Sequence, residues 1–314
     1  MIGFVLRRLV SVIPVLLLVA VFAFLLVHLT PGDPAAYMLG PLASQAQINA
    51  LRRALGLNEP ILVQLGHWFG RVLRGDLGDS FFMGIPVPLA ISQRLEPTAL
   101  LTMLAVAFEL VIGIPAGILA ARRRNTWVDQ VVIGFASLGI STPSFWLGLN
   151  LILLFGVTLH LLPVAGYVPV SESWVGAVRS VLMPAFALGA INSALVARMT
   201  RASMLETLSQ DFVRTARAKG ISERGVVWHH ALRNAFLPVL TVVGNSFALL
   251  LGGLVVTEQV FAIPGVGQLV INAVLRRDYP VIQGVLLYVV LLYVAINVVV
   301  DVLYALVDPR IRFE

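Results

Sequence analysis

Apolar residues occur along this chain in six long runs that are separated by polar segments. The runs are Leu9–Leu29, Thr98–Ala121, Val131–Val157, Val181–Met199, Phe236–Thr257 and Val281–Val307. A helix needs about 20 mainly apolar residues to cross a membrane. Backbone groups in lipid are satisfied only in helices or closed barrels, and the alternating segments of about 10 residues that form barrel strands are missing from this sequence. The pattern therefore predicts an all-α integral membrane protein with six transmembrane helices.

The segment between the first two runs, Thr30–Pro97, is too long for a bare connector. Ser44–Leu55 repeats apolar residues at helical spacing and is followed by Gly56, which is typical of a helix end. Pro60–Leu73 begins with proline and carries an aromatic and aliphatic stripe. We expect two short amphipathic helices here, lying at the membrane interface or packing on the spans.

The third run is interrupted at Gly139–Ser144, where glycine and proline stand among hydroxyl residues. Proline removes one helical hydrogen bond and usually kinks a helix. A hinge or a polar lining for cargo is one interpretation of this break. Because such breaks are common in spanning helices, we favour a tolerated kink.

Arginine placement predicts the orientation of the chain in the membrane. If the N-terminus is cytoplasmic, 14 of the 22 basic residues fall in inner segments, including Arg7, Arg8, Arg122–Arg124, Arg310 and Arg312. Five of the other eight lie in the long first outer loop, which counts little because long loops translocate largely regardless of charge. Both termini are therefore expected in the cytoplasm. This topology, rather than nucleic-acid binding, explains the net charge of +6, and the first apolar run is too long for a cleaved signal peptide.

The residues of known catalytic constellations are missing. The chain has no cysteine, and its single lysine, Lys219, is followed by glycine, which excludes a phosphate-binding GxxxxGK[ST] loop. His229 and His230 are adjacent rather than spaced as in HExxH. We therefore expect no catalytic residue, no metal site and no cofactor in this chain, and a membrane-embedded enzyme is the least favoured class.

A basic polar stretch, Arg198–Asn234, separates the fourth and fifth runs. Asp211–Lys219 predicts a short helix, because its acidic start and basic end agree with the helix dipole and Gly220 is a typical stop. Phe212, Ala216 and Lys219 share one face at helical spacing. This face offers an aromatic side chain to a groove in a partner protein.

These residues resemble the cytoplasmic coupling motif of ATP-binding-cassette importer permeases, and most closely the longer permease subunit of the dipeptide/oligopeptide/nickel branch. Segments that carry the resemblance are Leu6–Leu9, Leu29–Pro34, Phe212–Gly220, His230–Ala235, Pro264–Gly267, Arg277–Pro280 and Asp308–Arg310. Arg214 stands where the general motif has glutamate, and Thr215 stands where it has its first small residue. The peptide branch tolerates both departures.

The resemblance implies a type I ABC importer permease fold with a cytoplasmic coupling helix, in the bacterial inner membrane. It implies a second homologous permease, two ATPase subunits that use ATP and Mg²⁺, and a periplasmic or lipid-anchored substrate-binding protein. Cargo would be dipeptides or oligopeptides, with nickel or glutathione as alternatives. The residues implied in coupling to the ATPase are Asp211, Phe212, Arg214, Thr215, Ala216, Arg217, Ala218, Lys219 and Gly220. The implied organisation is residues 1–97 as the first span with its outer helices, and residues 98–314 as a five-span core with coupling loop 198–235.

Polar residues within the spans are candidates for the translocation path, because charged groups are costly in lipid and mark pathways or partners. The candidates are Glu258, Glu109, Asp301, Asn245 and Ser141. Hydrogen bonding between helices is the competing role for each. We favour Glu258 among them, because it lies at the outer end of its span, where delivered substrate arrives first.

An ion-driven secondary transporter or channel is the alternative from a different class. It would leave the Arg198–Asn234 stretch without a required partner. Secondary transporters often show internal repeats, and we find none in this sequence. Deletion of Asp211–Gly220 discriminates between the two classes, since it should abolish ATP-linked uptake and spare ion-driven transport.

Overall fold

The structure is a computed structural model that describes residues 2–29, 32–40, 42–54 and 56–307, with side chains at all of these except 2–11, 303 and 305–307. Its helices are α1 (Ile2–Leu29), α2 (Pro34–Leu39), α3 (Gln45–Ala54), α4 (Ile61–Val72), α5 (Val87–Arg122), α6 (Trp127–Ser141), α7 (Ser144–Leu151), α8 (Trp174–Leu208), α9 (Asp211–Ala218), α10 (Glu223–Gly225), α11 (Leu232–Val260), α12 (Val266–Arg276) and α13 (Tyr279–Val307). Residues 152–158 and 226–231 form π-helical turns.

The all-α membrane fold with six spans is confirmed. Among the described residues, five helices are long and apolar enough to cross a membrane, and α6 with α7 makes the sixth if the bent pair is counted as one span. Both short helices predicted between the first two spans are also present, as α3 and α4. Gly56 has a φ of +69° and donates to the Arg53 carbonyl, which is the expected helix end. Leu55, Thr30, Pro31 and residues 308–314 lie outside the described residues.

The break in the third span is sharper than the tolerated kink that we favoured. α6 ends at Ser141, α7 begins at Ser144, and the two axes differ by 100°. Thr142 and Pro143 are extended, with ψ angles of 124° and 135°. Two consecutive residues in this conformation stop the helical hydrogen-bond pattern, so the chain changes direction instead of bending.

Both ends of the predicted coupling loop, 198–235, are helical. α8 continues as a regular helix to Leu208, and α11 begins at Leu232. Met204 is buried, and Leu205 and Leu208 pack with it against Ile118 on α5. The polar residues that suggested a loop occupy the other side of an amphipathic helix, whose apolar side is held by these contacts.

The chain forms two compact units, Met1–Leu95 with Leu269–Val294, and Glu96–Gln268 with Ala295–Glu314. In the first unit, Phe24 and Trp68 pack with Ala20 and Leu287. The Trp68 indole N–H donates to Gln283 at 3.1 Å, and the Gln283 amide donates to the Ala23 carbonyl at 3.2 Å. The stripe of α4 therefore packs within its own unit.

The second unit has its main core where α5, α8 and α11 meet. Leu101, Leu188, Leu250 and Phe261 are buried in this core. Gly189 allows α8 to approach α5 closely, because a side chain there would collide with the Ala105 carbonyl. Close approach through small residues is how spanning helices pack in the absence of a hydrophobic driving force.

Candidate coupling and translocation sites

The short helix predicted at Asp211–Lys219 is present as α9, between two spans. Asp211 occupies its first turn and Arg217 its last turn, as the helix dipole favours. Gly220 has a φ of +80°, and its N–H donates to the Arg217 carbonyl at 2.9 Å. The Ile221 N–H donates to the Ala216 carbonyl at 3.3 Å. Together these bonds form the glycine-ended stop that the sequence indicated.

α9 is held to the protein by one apolar face. Val213 and Ala216 are buried, and they pack with Val226 and Leu208. Phe212 and Ala216 lie one helical turn apart, but Ala216 is buried while Phe212 is 38% exposed. The small hydrophobic cluster fixes the helix, and Phe212 remains accessible beside it.

The accessible surface of α9 is strongly charged. Arg214 pairs with Asp211 at 3.3 Å on the outside of the helix. Arg217 donates through Nε to Glu223 at 2.6 Å and so fastens the end of α9 to α10. Thr215 donates to the Asp211 carbonyl, and Ala218 and Lys219 are exposed at the last turn. The surface therefore presents one aromatic ring surrounded by basic groups.

A partly buried ion pair lies at one end of the α6–α8 contact. Arg201 donates through Nε and Nη2 to both oxygens of Asp129, at 2.6 and 2.7 Å. The Asn125 N–H donates to the same carboxylate at 3.0 Å. Sequence reasoning missed this pair, because the two residues are 72 positions apart.

Glu258 is fully buried, and both of its carboxylate oxygens accept hydrogen bonds. Thr98 donates its hydroxyl to Oε1 at 2.6 Å, and the backbone N–H of Gln268 donates to Oε2 at 3.0 Å. The Thr98 hydroxyl in turn accepts from the Val266 N–H at 2.9 Å. Glu258 thus joins the start of α12 to α5 through hydrogen bonds at both carboxylate oxygens.

Two glycines make room for this carboxylate. A side chain at Gly265 would overlap the Glu258 carboxylate, and one at Gly267 would lie 3.0 Å from its Oε2. The sequence Pro264-Gly265-Val266-Gly267 is therefore the backbone half of a carboxylate cradle. Thr98 is the partner that sequence reasoning missed.

Glu109 is also fully buried, on α5. Neither carboxylate oxygen makes a hydrogen bond within the described residues. Ser246 on α11 faces it, but the Ser246 hydroxyl donates to the Val243 carbonyl at 2.8 Å. An ionised carboxylate in such surroundings is costly, so the position suits a neutral, packed side chain.

The other three path candidates differ in exposure. Asn245 is exposed on α11, and one turn earlier Thr241 forms a hydrogen bond with Tyr304 of α13. Ser141 is exposed at the break, where its hydroxyl donates to the Ser137 carbonyl at 3.1 Å. Asp301 is half-buried on α13 and interacts with other groups.

Long apolar helices, a third span bent by 100° and an anchored helix with an exposed aromatic residue define a membrane permease. The chain matches the family described as binding-protein-dependent transport system inner membrane component over residues 113–313, and the N-terminal component of the same systems over residues 1–88. It belongs to this family and is a membrane permease subunit of an ABC importer.

Relatives extend the similarity over the full length. The chain is 48% identical over 314 residues to a putative peptide transport system permease of Brucella abortus, with both chains covered completely. It is 47% identical over 310 residues to a probable peptide ABC transporter permease of Sinorhizobium fredii, with 99% of both covered. The glutathione transport system permease of Escherichia coli is 44% identical over 314 residues, again with complete coverage.

The fold is similar to that of a solved importer. The inward-facing MetNI methionine ABC transporter superimposes with a TM-score of 0.59 and 19% identity, covering 70% of this chain and 97% of that chain. The type I importer permease fold expected from the sequence is thereby confirmed.

Proposed function

We propose that this chain forms half of the membrane path of an ATP-driven importer for dipeptides or short oligopeptides. Full-length identity of 47–48% to peptide transport permeases carries this proposal. The assembly would add a second homologous permease, a substrate-binding protein and two ATPase subunits that hydrolyse ATP with Mg²⁺. Both termini and α9 would face the cytoplasm, in the inner membrane.

Coupling would pass through α9. Phe212 and the basic groups Arg214, Arg217 and Lys219 are exposed, while Val213 anchors the helix from below. A rigid connection of this kind transmits a push from an ATPase subunit to the spans, and rocking of the spans then alternates access. The anchor and the contact surface lie on different sides of one short helix. Substitutions can therefore change one of them without changing the other.

Asn245 and Ser141 would line the path, because both are exposed polar side chains on long apolar helices. An exposed polar group in a span faces a water-filled cavity or a partner subunit rather than lipid. Glu258 and Glu109 are buried, and we assign them to helix packing instead. Asp301 remains a candidate on α13.

Glutathione is the second candidate cargo, supported by 44% identity to a glutathione permease. It is a tripeptide in chemistry, so a peptide path would accommodate it. Nickel is the third candidate cargo, because nickel importers use permeases of the same branch. The binding protein that copurifies with the complex decides among them, through the ligand it holds.

Gentle extraction of the tagged chain from its native membrane, followed by mass spectrometry, tests the assembly. We expect a second six-span permease and two ATPase subunits for each copy of this chain. A matched sample carrying the Asp211–Gly220 deletion should retain the second permease and lose the ATPases. Purification of this chain alone, with transport in liposomes that lack ATP, would contradict the proposal.

A further inference from the structure

A solvent-open cavity of about 760 Å³ lies within the first unit, and none of the roles assigned above uses it. Its walls are the ends of α1 and α3, the inner side of α4, residues 76–81 and the first turn of α13. Sites for small molecules have volumes of about 300–1,000 Å³. The cavity therefore has the size of a small organic ligand.

The cavity has an aromatic floor whose polar atom is already satisfied. Phe24 and Trp68 are both buried, with ring centroids 5.8 Å apart. The Trp68 indole N–H is taken by Gln283, and His28 and Gln64 bond to each other at 3.1 Å. These groups offer apolar contact and leave recognition to the charged side chains of the walls.

Two cations and two anions line the same cavity without ion pairs. Arg53 ends α3, Arg71 lies in the last turn of α4, and Asp76 and Asp79 follow in the next segment. Within the described residues none of the four takes part in a salt bridge, whereas Glu59 and His67 beside them are paired at 3.2 Å. A ligand that is only cationic or only anionic would face two side chains of its own sign in this cavity. Asp76 accepts from the Gly78 N–H at 2.9 Å and Arg53 donates to the Asn49 carbonyl at 3.3 Å, and both keep further hydrogen-bonding capacity. A ligand with both charges would pair with all four side chains.

We propose that this cavity binds a small zwitterion. A primary ammonium group would bind Asp76 and Asp79, a carboxylate or phosphate would bind Arg53 and Arg71, and an apolar portion would contact Phe24. A free dipeptide has this chemistry, and so does a phosphatidylethanolamine headgroup, which the outer end of α1 would meet in the membrane. The peptide source rests on the proposed function, and the lipid source does not.

The test uses the assembled transporter without its binding protein, in nanodiscs of phosphatidylcholine alone. The probes are alanyl-phenylalanine, its N-acetyl derivative and its C-terminal amide, titrated by calorimetry. Capping either end removes a charge-assisted contact, which corresponds to about a tenfold loss of affinity. We expect Asp76→Asn with Asp79→Asn to abolish the difference between free and acetylated peptide. Arg53→Gln with Arg71→Gln should abolish the difference between free and amidated peptide.

Matched controls are Arg74→Gln and Glu172→Gln, exposed charges that do not line the cavity. Each control variant should still bind the free peptide more tightly than the acetylated peptide and more tightly than the amidated peptide. The lipid source is measured by native mass spectrometry of complexes extracted from membranes that contain phosphatidylethanolamine. Retention of that lipid by the wild type, and its loss from the variant lacking all four charges, identifies the headgroup as the ligand.

The proposal is overturned if neither zwitterion binds saturably, or if the charge variants leave all affinities unchanged. ATP-driven peptide uptake by the complete wild-type transporter is scored separately. Intact uptake by a transporter whose cavity binds neither zwitterion would overturn only the proposal that the cavity is a binding site. Absent uptake with retained lipid would overturn only the proposed cargo.

Discussion

Glu258 and Glu109 are buried acids of the same type, but their surroundings differ. Glu258 accepts from a hydroxyl and a backbone N–H, whereas Glu109 has no hydrogen bond among the described residues. Removing one partner from a buried charged network leaves the others unsatisfied, which costs more than the bond itself contributes. The two positions should therefore respond differently to substitution.

Glu258→Ala should destabilise the protein by about 3 kcal/mol, because the Thr98 hydroxyl and the Gln268 N–H lose their acceptor. The measurement is thermal unfolding of the detergent-purified complex. Gln259→Ala is the matched control, since Gln259 is the exposed neighbour on the same helix. Equal unfolding temperatures for the two variants would contradict the cradle around Glu258.

Glu109→Gln should leave both stability and uptake at the wild-type level, because the amide has the same shape and the carboxylate makes no hydrogen bond to lose. Glu109→Lys should abolish assembly, since a long cation would be buried among apolar residues. Membrane expression and peptide uptake report the two effects. Loss of uptake in a well-folded Glu109→Gln protein would contradict the packing role and support a role for Glu109 in the translocation path.

At the scale of elements, α9 combines an anchor and a contact surface within eight residues. Val213 has no exposed area, while Phe212 is exposed beside it. Truncating the anchor should loosen the helix, and truncating the exposed ring should remove a partner contact and leave the fold intact.

Phe212→Ala should therefore uncouple ATP hydrolysis from uptake at unchanged thermal stability, while Val213→Ala should lower the unfolding temperature. Gly220→Pro should uncouple as well, because proline cannot adopt a φ of +80°. ATPase rate and uptake are measured on the same proteoliposomes. Wild-type coupling in both Phe212→Ala and Gly220→Pro would remove α9 from the coupling route.

The Asp129–Arg201 pair joins α6 to α8. The Arg201 side chain is 25% exposed and the Asp129 side chain is 6% exposed. Removing one member leaves the other without its partner, which costs more than replacing both members. We expect Asp129→Asn and Arg201→Met each to lower the unfolding temperature. The double variant should recover most of the loss. Additive losses in the double variant would show that the two side chains act independently.

At the scale of the whole molecule, the sequence predicted those features that depend on local pattern. Six apolar runs, the two outer helices and the stop at Gly220 each follow from residues close together in the chain. The extension of α8 to Leu208 was missed because it depends on packing against Ile118 of α5. The 100° turn after Ser141 was underestimated, since proline alone predicts only a kink.

The site shows the same limit. Residues of α9 were predicted as a group, since they are consecutive. Val213 was not singled out as the anchor, because nothing local distinguishes it from Phe212. The hydrogen bonds of Glu258 could not be predicted for the same reason, since its partner Thr98 lies 160 positions earlier. Partners that are distant in the sequence can be identified only when the fold is known.

In the proposed importer, this chain couples ATP hydrolysis by the partner subunits to the entry of peptide. The most direct test of this coupling is uptake of a labelled dipeptide into proteoliposomes that hold the complete transporter, with ATP enclosed on the ATPase side and the binding protein opposite. We predict uptake that requires ATP and the binding protein and that stops in the Phe212→Ala variant. Uptake without ATP, or driven by an ion gradient through this chain alone, would contradict the account.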